Sequence, residues 1–261
     1  MRIIGVLAWI VVFFLGAPVR AELVQVPSRP GVTVPIAIEP PTGQAVAWAL
    51  LFVGGNGVLQ LDTTGAPTAP LTALYIISRR DVLKAAGIGV VLVDVPSDQR
   101  SGIDPAFRRS EQHMADVGAV TTMIRQRFRR PVWVIGHSNG GITAAAVARA
   151  LSGAARPDGL ILASPTAIKI RRNPAAPFPP LPYTGAVLVA AHQGDSCTYS
   201  PPSDATLVSQ AFGQARPNAL RMFSGGSAGR GDPCLPRSLH SFHGMEREVM
   251  SAFAGFIRSG K

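Results

Sequence analysis

The chain has 261 residues, a formal net charge of +10 and 47% hydrophobic residues, which is ample for one sizeable core and excludes a disordered chain. The basicity is almost all arginine, the lysines being only Lys84, Lys169 and Lys261, and aromatic residues make up 7%, so the basic stripe interleaved with aromatics that nucleic-acid binding wants is missing and no nucleic-acid partner is expected. Two cysteines, Cys197 and Cys234, do not make a zinc-finger pattern, and no other metal-ligand cluster stands out, so no metal or other cofactor is expected.

In chain order, Met1-Arg2 gives a short positive start, Ile3 to Leu15 an apolar core, and Val19-Arg20-Ala21 a small-residue cleavage pattern. Residues 1–21 therefore read as a signal peptide. The apolar run is shorter than the roughly 20 residues of a comfortable membrane span, and no second such run follows, so no stable membrane insertion is expected. Loss of Arg2 and Arg20 lowers the charge from +10 to +8 and leaves residues 22–261 as one domain, exported to the periplasm or secreted.

Val32 to Ile38 is predicted as an early strand, and Ala47 to Val53 as an apolar strand ending in Gly54-Gly55-Asn56-Gly57. Tyr75 to Ala86 has helical periodicity and stops at Gly87; Ile88 to Val95 is a buried strand stopped by Pro96. Ser110 to Phe128 reads as a long helix, with Ser110 as its cap, and its arginine-rich end, Arg125-Gln126-Arg127-Phe128-Arg129-Arg130, offsets the helix dipole. Val132 to Ile135 is a strand and Ile142 to Leu151 a helix; Gly159 to Ala163, Ala186 to Ala191 and Ala219 to Phe223 are further strands, and 204–212 and 245–258 further helices. Buried β runs separated by helices of this length predict an α/β fold, a mostly parallel sheet with helices on both faces. Ligands in such folds bind beyond the C-terminal ends of the strands.

Three strand ends carry chemistry. Gly136-His137-Ser138-Asn139-Gly140 is G-x-S-x-G between a strand and a helix, the tight turn that exposes a serine nucleophile. Gly225-Gly226-Ser227-Ala228-Gly229 matches the same pattern but has no helix behind it, so Ser227 is read as a loop serine. An oxyanion hole needs the N–H of Asn139, just after the nucleophile, and another from the glycine-rich turn, either Gly55 or Asn56. Asp195 follows a late strand, where the order Ser…Asp…His wants the acid; Asp94 precedes the serine, Asp158 starts a strand, Asp204 reads as a helix cap, and His192 as a packed strand-end residue. The general base comes from Ser238-Leu239-His240-Ser241-Phe242-His243, before the last helix; His113 and His137 are poor rivals, but spacing alone leaves His240 and His243 open.

On these residues the chain resembles the α/β-hydrolase fold family over its whole mature length. More narrowly it is similar to small exported bacterial serine hydrolases marked by Phe52-Val53-Gly54-Gly55-Asn56-Gly57, Gly136-His137-Ser138-Asn139-Gly140, His192-Gln193-Gly194-Asp195-Ser196-Cys197 and His240-Ser241-Phe242-His243-Gly244-Met245-Glu246. Members show His-Gly-Phe-x-Gly-x-Glu at the last position. Phe242, Gly244 and Glu246 fit that frame, which the resemblance uses to place the catalytic histidine at His240, with Ser241 in place of the usual glycine. The resemblance implies a Ser138-His240-Asp195 triad and no defined substrate.

Cys197 and Cys234 are an even pair in an exported chain, one just after the acid and one just before the histidine, so a disulfide between them is expected. Only some twenty residues lie between the strands ending near Ala163 and starting at Ala186, with Pro174, Pro177, Pro179, Pro180 and Pro182 among them, which predicts an extended segment and no large cap domain. The loop from Val58 to Thr72 is a candidate wall of the site. The expected function is hydrolysis of small carboxylic esters through an acyl-enzyme, the alternatives being a serine peptidase or amidase and a non-catalytic binding protein on the same fold. Oligomeric state is not written in the sequence.

Overall fold

Strands that are apolar on both sides can only sit at the centre of a layered protein, and here they do. The computed structural model describes residues 21–70, 74–167 and 179–260. Its sheet has eight strands: β1 (Glu22–Arg29), β2 (Val32–Glu39), β3 (Ala47–Phe52), β4 (Ile88–Val93), β5 (Val132–His137), β6 (Gly159–Ala163), β7 (Ala186–His192) and β8 (Asn218–Phe223), in the order β1-β2-β4-β3-β5-β6-β7-β8. From β4 to β8 every pairing is parallel, while β1 and β2 run antiparallel at one edge. Every residue of β3, β4, β5, β6 and β7 is buried.

The two faces are covered by different helices. Trp48, Leu50, Phe52, Val132 and Val134 point to a core shared with α3 (Glu111–Phe128), α4 (Gly140–Ala150) and α5 (Pro202–Ala211). Ala49, Leu51, Val90, Leu92, Trp133 and Ile135 point to the other, shared with α1 (Tyr75–Ser78), α2 (Asp81–Ala85) and α6 (Glu246–Ser259). Both indoles lie across a neighbouring strand's glycine. Trp48 is in register with Gly89 and Trp133 with Gly159, and a Cβ on either glycine would overlap the ring. Trp48 stacks on Phe128 at 3.9 Å between centroids; Trp133 meets Phe256 edge-on at 5.7 Å.

Several expectations shift. The helix expected over 75–86 is broken in two at Arg79–Arg80, because Arg80 turns its guanidinium back onto the Ile77 carbonyl (2.7 Å) and Glu39 (2.8 Å). Strand β1 was not expected: ELVQVPSR pairs only with β2 and is mostly half-exposed, so it lacks a buried strand's apolar run. Asp204 is not a helix cap but sits in the first turn of α5, where its carboxylate accepts the Ala167 N–H at 2.7 Å. Ser110 does cap α3, its hydroxyl accepting from the His113 N–H at 3.1 Å. Arg125 is less solvated than its cluster implied, binding Asp158 and the carbonyls of Ala154 and Arg156. The signal peptide (but for Ala21) and the Pro174–Pro177 part of the proline-rich stretch lie outside the described residues, as do residues 71–73 at the end of the candidate wall. Only residues 164–185 separate β6 from β7, too few for a large cap domain.

Candidate active site

The turn after β5 is compelled by packing. Ser138 has φ +54°, a left-handed conformation that a residue with a side chain adopts only when its surroundings hold it there. Gly136 and Gly140 supply the room. A Cβ on Gly136 would run into the backbone of Gly140, and one on Gly140 into the Phe52 carbonyl, so no side chain fits at either position. The Ser138 N–H donates to the Ala163 carbonyl at 2.9 Å and its own carbonyl accepts from the Gly141 N–H at 2.9 Å, fixing the residue between the end of β6 and the start of α4. Its side chain is half-buried at the C-terminal edge of the sheet, as the sequence predicts.

Asp195 and His240 lie beyond the ends of β7 and β8, and both are buried. They meet: His240 Nδ1 is 2.8 Å from Asp195 Oδ2, with the side chains 1% and 0% exposed. A carboxylate oxygen only accepts, so Nδ1 is the donor in this pair. Among the described residues Nε2 has no hydrogen-bond partner. The other carboxylate oxygen of Asp195 accepts the Cys197 N–H at 2.9 Å.

The His240 backbone is anchored beside Ser138. Its carbonyl accepts from Ser164 Oγ at 2.8 Å and from His137 Nε2 at 3.1 Å, and these are the residues next to Ala163 and Ser138 in their own strands. His137 is itself buried, its ring 4.9 Å from that of His240, and burial followed by the neighbouring imidazole holds its pKa down at about 3. It stays neutral and holds the His240 backbone.

His243 is elsewhere. Its Nδ1 pairs with Glu246 Oε1 at 3.2 Å and its side chain is 34% exposed, so it meets the first turn of α6 and not Asp195. His192 is a strand-end histidine, bonded to the Gly225 carbonyl and the Gly194 N–H. Ser227 lies in a loop, its N–H donating to the His243 carbonyl at 3.0 Å.

Gly54-Gly55-Asn56-Gly57 forms a turn closed by the Gly57 N–H on the Gly54 carbonyl at 3.1 Å; the φ of +55° at Gly55 suits glycine at that corner. It packs on Ser138: a Cβ on Gly54 would lie 2.9 Å from Ser138 Cβ. The Asn139 side chain also holds the turn, Nδ2 donating to the Gly55 carbonyl at 3.0 Å. Cys197 and Cys234 are joined in a disulfide, with Cα atoms 4.7 Å apart. Among the described residues no group of three or more acidic, histidine or cysteine side chains could hold a metal, and no helix is long and apolar enough to cross a membrane.

Two buried residues around the site were not foreseen. Ser200, fully buried, places Oγ 2.8 Å from His240 Nδ1 and 3.3 Å from Asp195 Oδ2, so its hydroxyl donates to the carboxylate while its oxygen shares the imidazole proton. Arg108 lies buried under the glycine-rich turn. In the sequence, Ser200 looks like any loop serine and Arg108 like its neighbour Arg109.

The family model described as serine aminopeptidase, S33, matches residues 80–211, half of the chain. The chain belongs to this family. It is a serine hydrolase of the α/β-hydrolase fold, and the S33 match covers the serine and the acid but stops short of His240. Solved structures align over nearly the whole chain. XC6422 from Xanthomonas campestris, described as an a/b serine hydrolase without lid, is 17% identical over 94% of each chain, with a TM-score of 0.57. Est1E from Butyrivibrio proteoclasticus is 14% identical over 92% of this chain and 98% of its own, with a TM-score of 0.60. The dienelactone hydrolase from Anabaena variabilis is 15% identical over 92% and 98%, with a TM-score of 0.61. At these identities they share the fold alone. Among curated proteins nothing matches the chain.

Proposed function

We propose that this S33-family chain is an exported serine carboxylesterase that turns over small carboxylic esters through an acyl-enzyme on Ser138. The observation that carries this reading is the buried Asp195–His240 pair, whose Nε2 has no partner among the described residues, together with a serine held at positive φ after β5. Ser138 Oγ attacks the ester carbonyl carbon while His240 Nε2 takes its proton, and Asp195 stabilises the imidazolium that forms. Negative charge on the carbonyl oxygen is met by the Asn139 N–H and by one from Gly55 or Asn56. The intermediate collapses, the alcohol leaves with the proton from His240, and water repeats the sequence on the acyl-enzyme.

The ester assignment draws on the neighbours called esterases, the esterase domain from Rhodothermus marinus and esterase 2 from Thermogutta terrifontis. Export is supported by the pattern of residues 1–21 and by the disulfide, since such bonds persist mainly in oxidising compartments. One observation favours a second reading: the family's description is that of an aminopeptidase, and a peptidase would use the same residues.

The test is a panel of p-nitrophenyl esters beside a panel of aminoacyl p-nitroanilides, with fluorophosphonate labelling of the wild type and Ser138→Ala. The expected result is ester turnover and labelling, both abolished by Ser138→Ala and neither altered by a chelator. Faster cleavage of the anilides would replace the esterase by the peptidase. Undiminished turnover in the serine variant would remove both.

A further inference from the structure

Arg108 follows no rule that governs the other arginines. It sits in a short turn, Phe107–Arg109, just before α3, and it is 1% exposed. Buried arginines normally meet a carboxylate, because an isolated charge is poorly solvated inside a protein. Among the described residues no carboxylate touches this one. Nη1 donates to Thr143 Oγ1 at 3.2 Å, Nη2 to the carbonyls of Val53 at 3.2 Å and Gly55 at 3.4 Å, and Nε has no partner. Burial lowers its pKa only to about 10, so it remains a cation at neutral pH. Its neighbour His113, which shares Thr143 Oγ1, is held down at about 3 by burial and then by this charge.

The two carbonyls it grips belong to the turn that packs on the nucleophile. In a trans peptide the C=O and N–H point in opposite directions. Holding the Val53 carbonyl on the guanidinium, and the Gly55 carbonyl between the guanidinium and Asn139 Nδ2 (3.0 Å), therefore sends the N–H groups of Gly54 and Asn56 the other way, and the Gly54 carbonyl is already taken by the Gly57 N–H. Three successive carbonyls are thus occupied. Among the described residues the N–H groups of Gly55 and Asn56 have no acceptor. Gly57 belongs to the same device: it has φ +81°, and a Cβ there would lie 2.8 Å from Arg108 Nη2, so a side chain would push the guanidinium off the turn.

We propose that Arg108 is a positioning residue for the oxyanion loop: it holds the Val53 carbonyl, shares the hold on the Gly55 carbonyl with Asn139 Nδ2, and sets a fixed positive charge behind the loop's N–H groups. This rests on the serine-hydrolase mechanism proposed above. Its contribution is felt when the carbonyl oxygen becomes an oxyanion and hardly at all when neutral ester binds, which is how an interaction raises kcat without changing KM.

The experiment uses the full chain with p-nitrophenyl butyrate as substrate. Two competitive inhibitors bear the same propyl chain: a trifluoromethyl ketone, which forms an anionic adduct on the serine, and the methyl ketone, which does not. Arg108→Gln keeps a polar side chain of intermediate length without the charge. It should lower kcat by about 100-fold with KM within about threefold, and weaken the trifluoromethyl ketone in the same proportion while leaving the methyl ketone unchanged. A merely structural role would weaken both ketones alike or lower only thermal stability. If the Gln variant does not fold, Arg108→Lys decides: charge is kept but the fork is lost, and kcat and trifluoromethyl ketone affinity should fall together by about tenfold. A folded Gln variant, or failing that a Lys variant, with wild-type kcat and inhibitor affinity overturns the proposal. Ser138→Ala separates the two levels: if it retains activity, or the wild type is inert to ester and fluorophosphonate, the underlying mechanism has failed, whereas an inactive serine variant beside a fully active Arg108→Gln refutes the arginine's role alone.

Discussion

Opening the Cys197–Cys234 disulfide should cost the protein more than any single surface change, and the amount follows from its place in the chain. The bond spans 37 residues of sequence, including α5 and β8. A cross-link closing a loop of that size removes about 4 kcal/mol of conformational freedom from the unfolded chain at 25 °C in the loop-entropy model. For a protein of this length each kcal/mol moves Tm by about 2–4 °C, so loss of the bond should lower Tm by about 8–15 °C. Activity should fall as well. The Cys197 N–H is one of the donors holding Asp195, and Ser200 lies three residues further along the same loop. The assay is thermal unfolding by circular dichroism of the oxidised protein, the reduced protein and the Cys197→Ser/Cys234→Ser double variant, with ester turnover at 25 °C on each and non-reducing mass spectrometry to establish the starting bond. A double variant that melts within about 3 °C of the oxidised protein would show that the linked loops are already ordered without the bond, and that the unfolded-state argument fails here.

Replacing His240 by Ala should lower acylation of an activated ester by on the order of 10³-fold or more, while His243→Ala, which loses only the Glu246 contact, should act mainly on KM; stopped-flow acylation of both variants checks this, and a dead His243 variant beside an active His240 variant would reverse the assignment. Ser200→Ala should cut kcat by about tenfold with little change in KM, since it leaves the imidazole with Asp195 alone; Ser200→Thr, which keeps the hydroxyl, should recover part of it, and an unchanged pH profile in the Ala variant would argue that the hydroxyl is only packing. His113 and His137 are both held near pKa 3 by burial, below the unfolded value of 6.5, so the unfolded chain binds protons that the folded one refuses, and stability falls as pH drops from about 6.5 toward 3 by up to about 1.4 kcal/mol per unit for each histidine. Urea midpoints between pH 7 and 5, before the carboxylates titrate, test this; a flat profile, or an equal slope in His113→Gln, would contradict it.

The sequence was most legible where packing leaves one solution. Strands buried on both faces must be continuous apolar runs, and β3 to β7 all appear so, ending within two residues of the expected positions. The serine's turn was readable because overlap at Gly136 and Gly140 restricts the residue types there to glycine. Edge elements were harder. Strand β1 pairs on one side only and carries Pro27, so nothing in its pattern separates it from a loop. The contacts behind the site were not legible at all: Arg108, Ser164 and Ser200 reach their partners across 55, 76 and 40 residues of chain, and no local spacing encodes such a meeting. His137 was read only as a poor rival for the general base, and only the three-dimensional arrangement reveals its hold on the His240 carbonyl.

The two indoles laid over glycines give the protein a built-in pair of optical reporters. Trp48 lies under α3 on one side of the sheet and Trp133 against α6 on the other, and both are buried. Trp9 lies in the N-terminal stretch, so once residues 1–21 are removed the emission comes from these two rings alone. A Trp48→Phe chain then reports only on the helical layer that α6 belongs to, and a Trp133→Phe chain only on the layer of α3. Followed in denaturant, the two single-indole proteins would tell whether both coverings of the sheet are shed in one step or whether one peels away first, before the enzyme has lost the other.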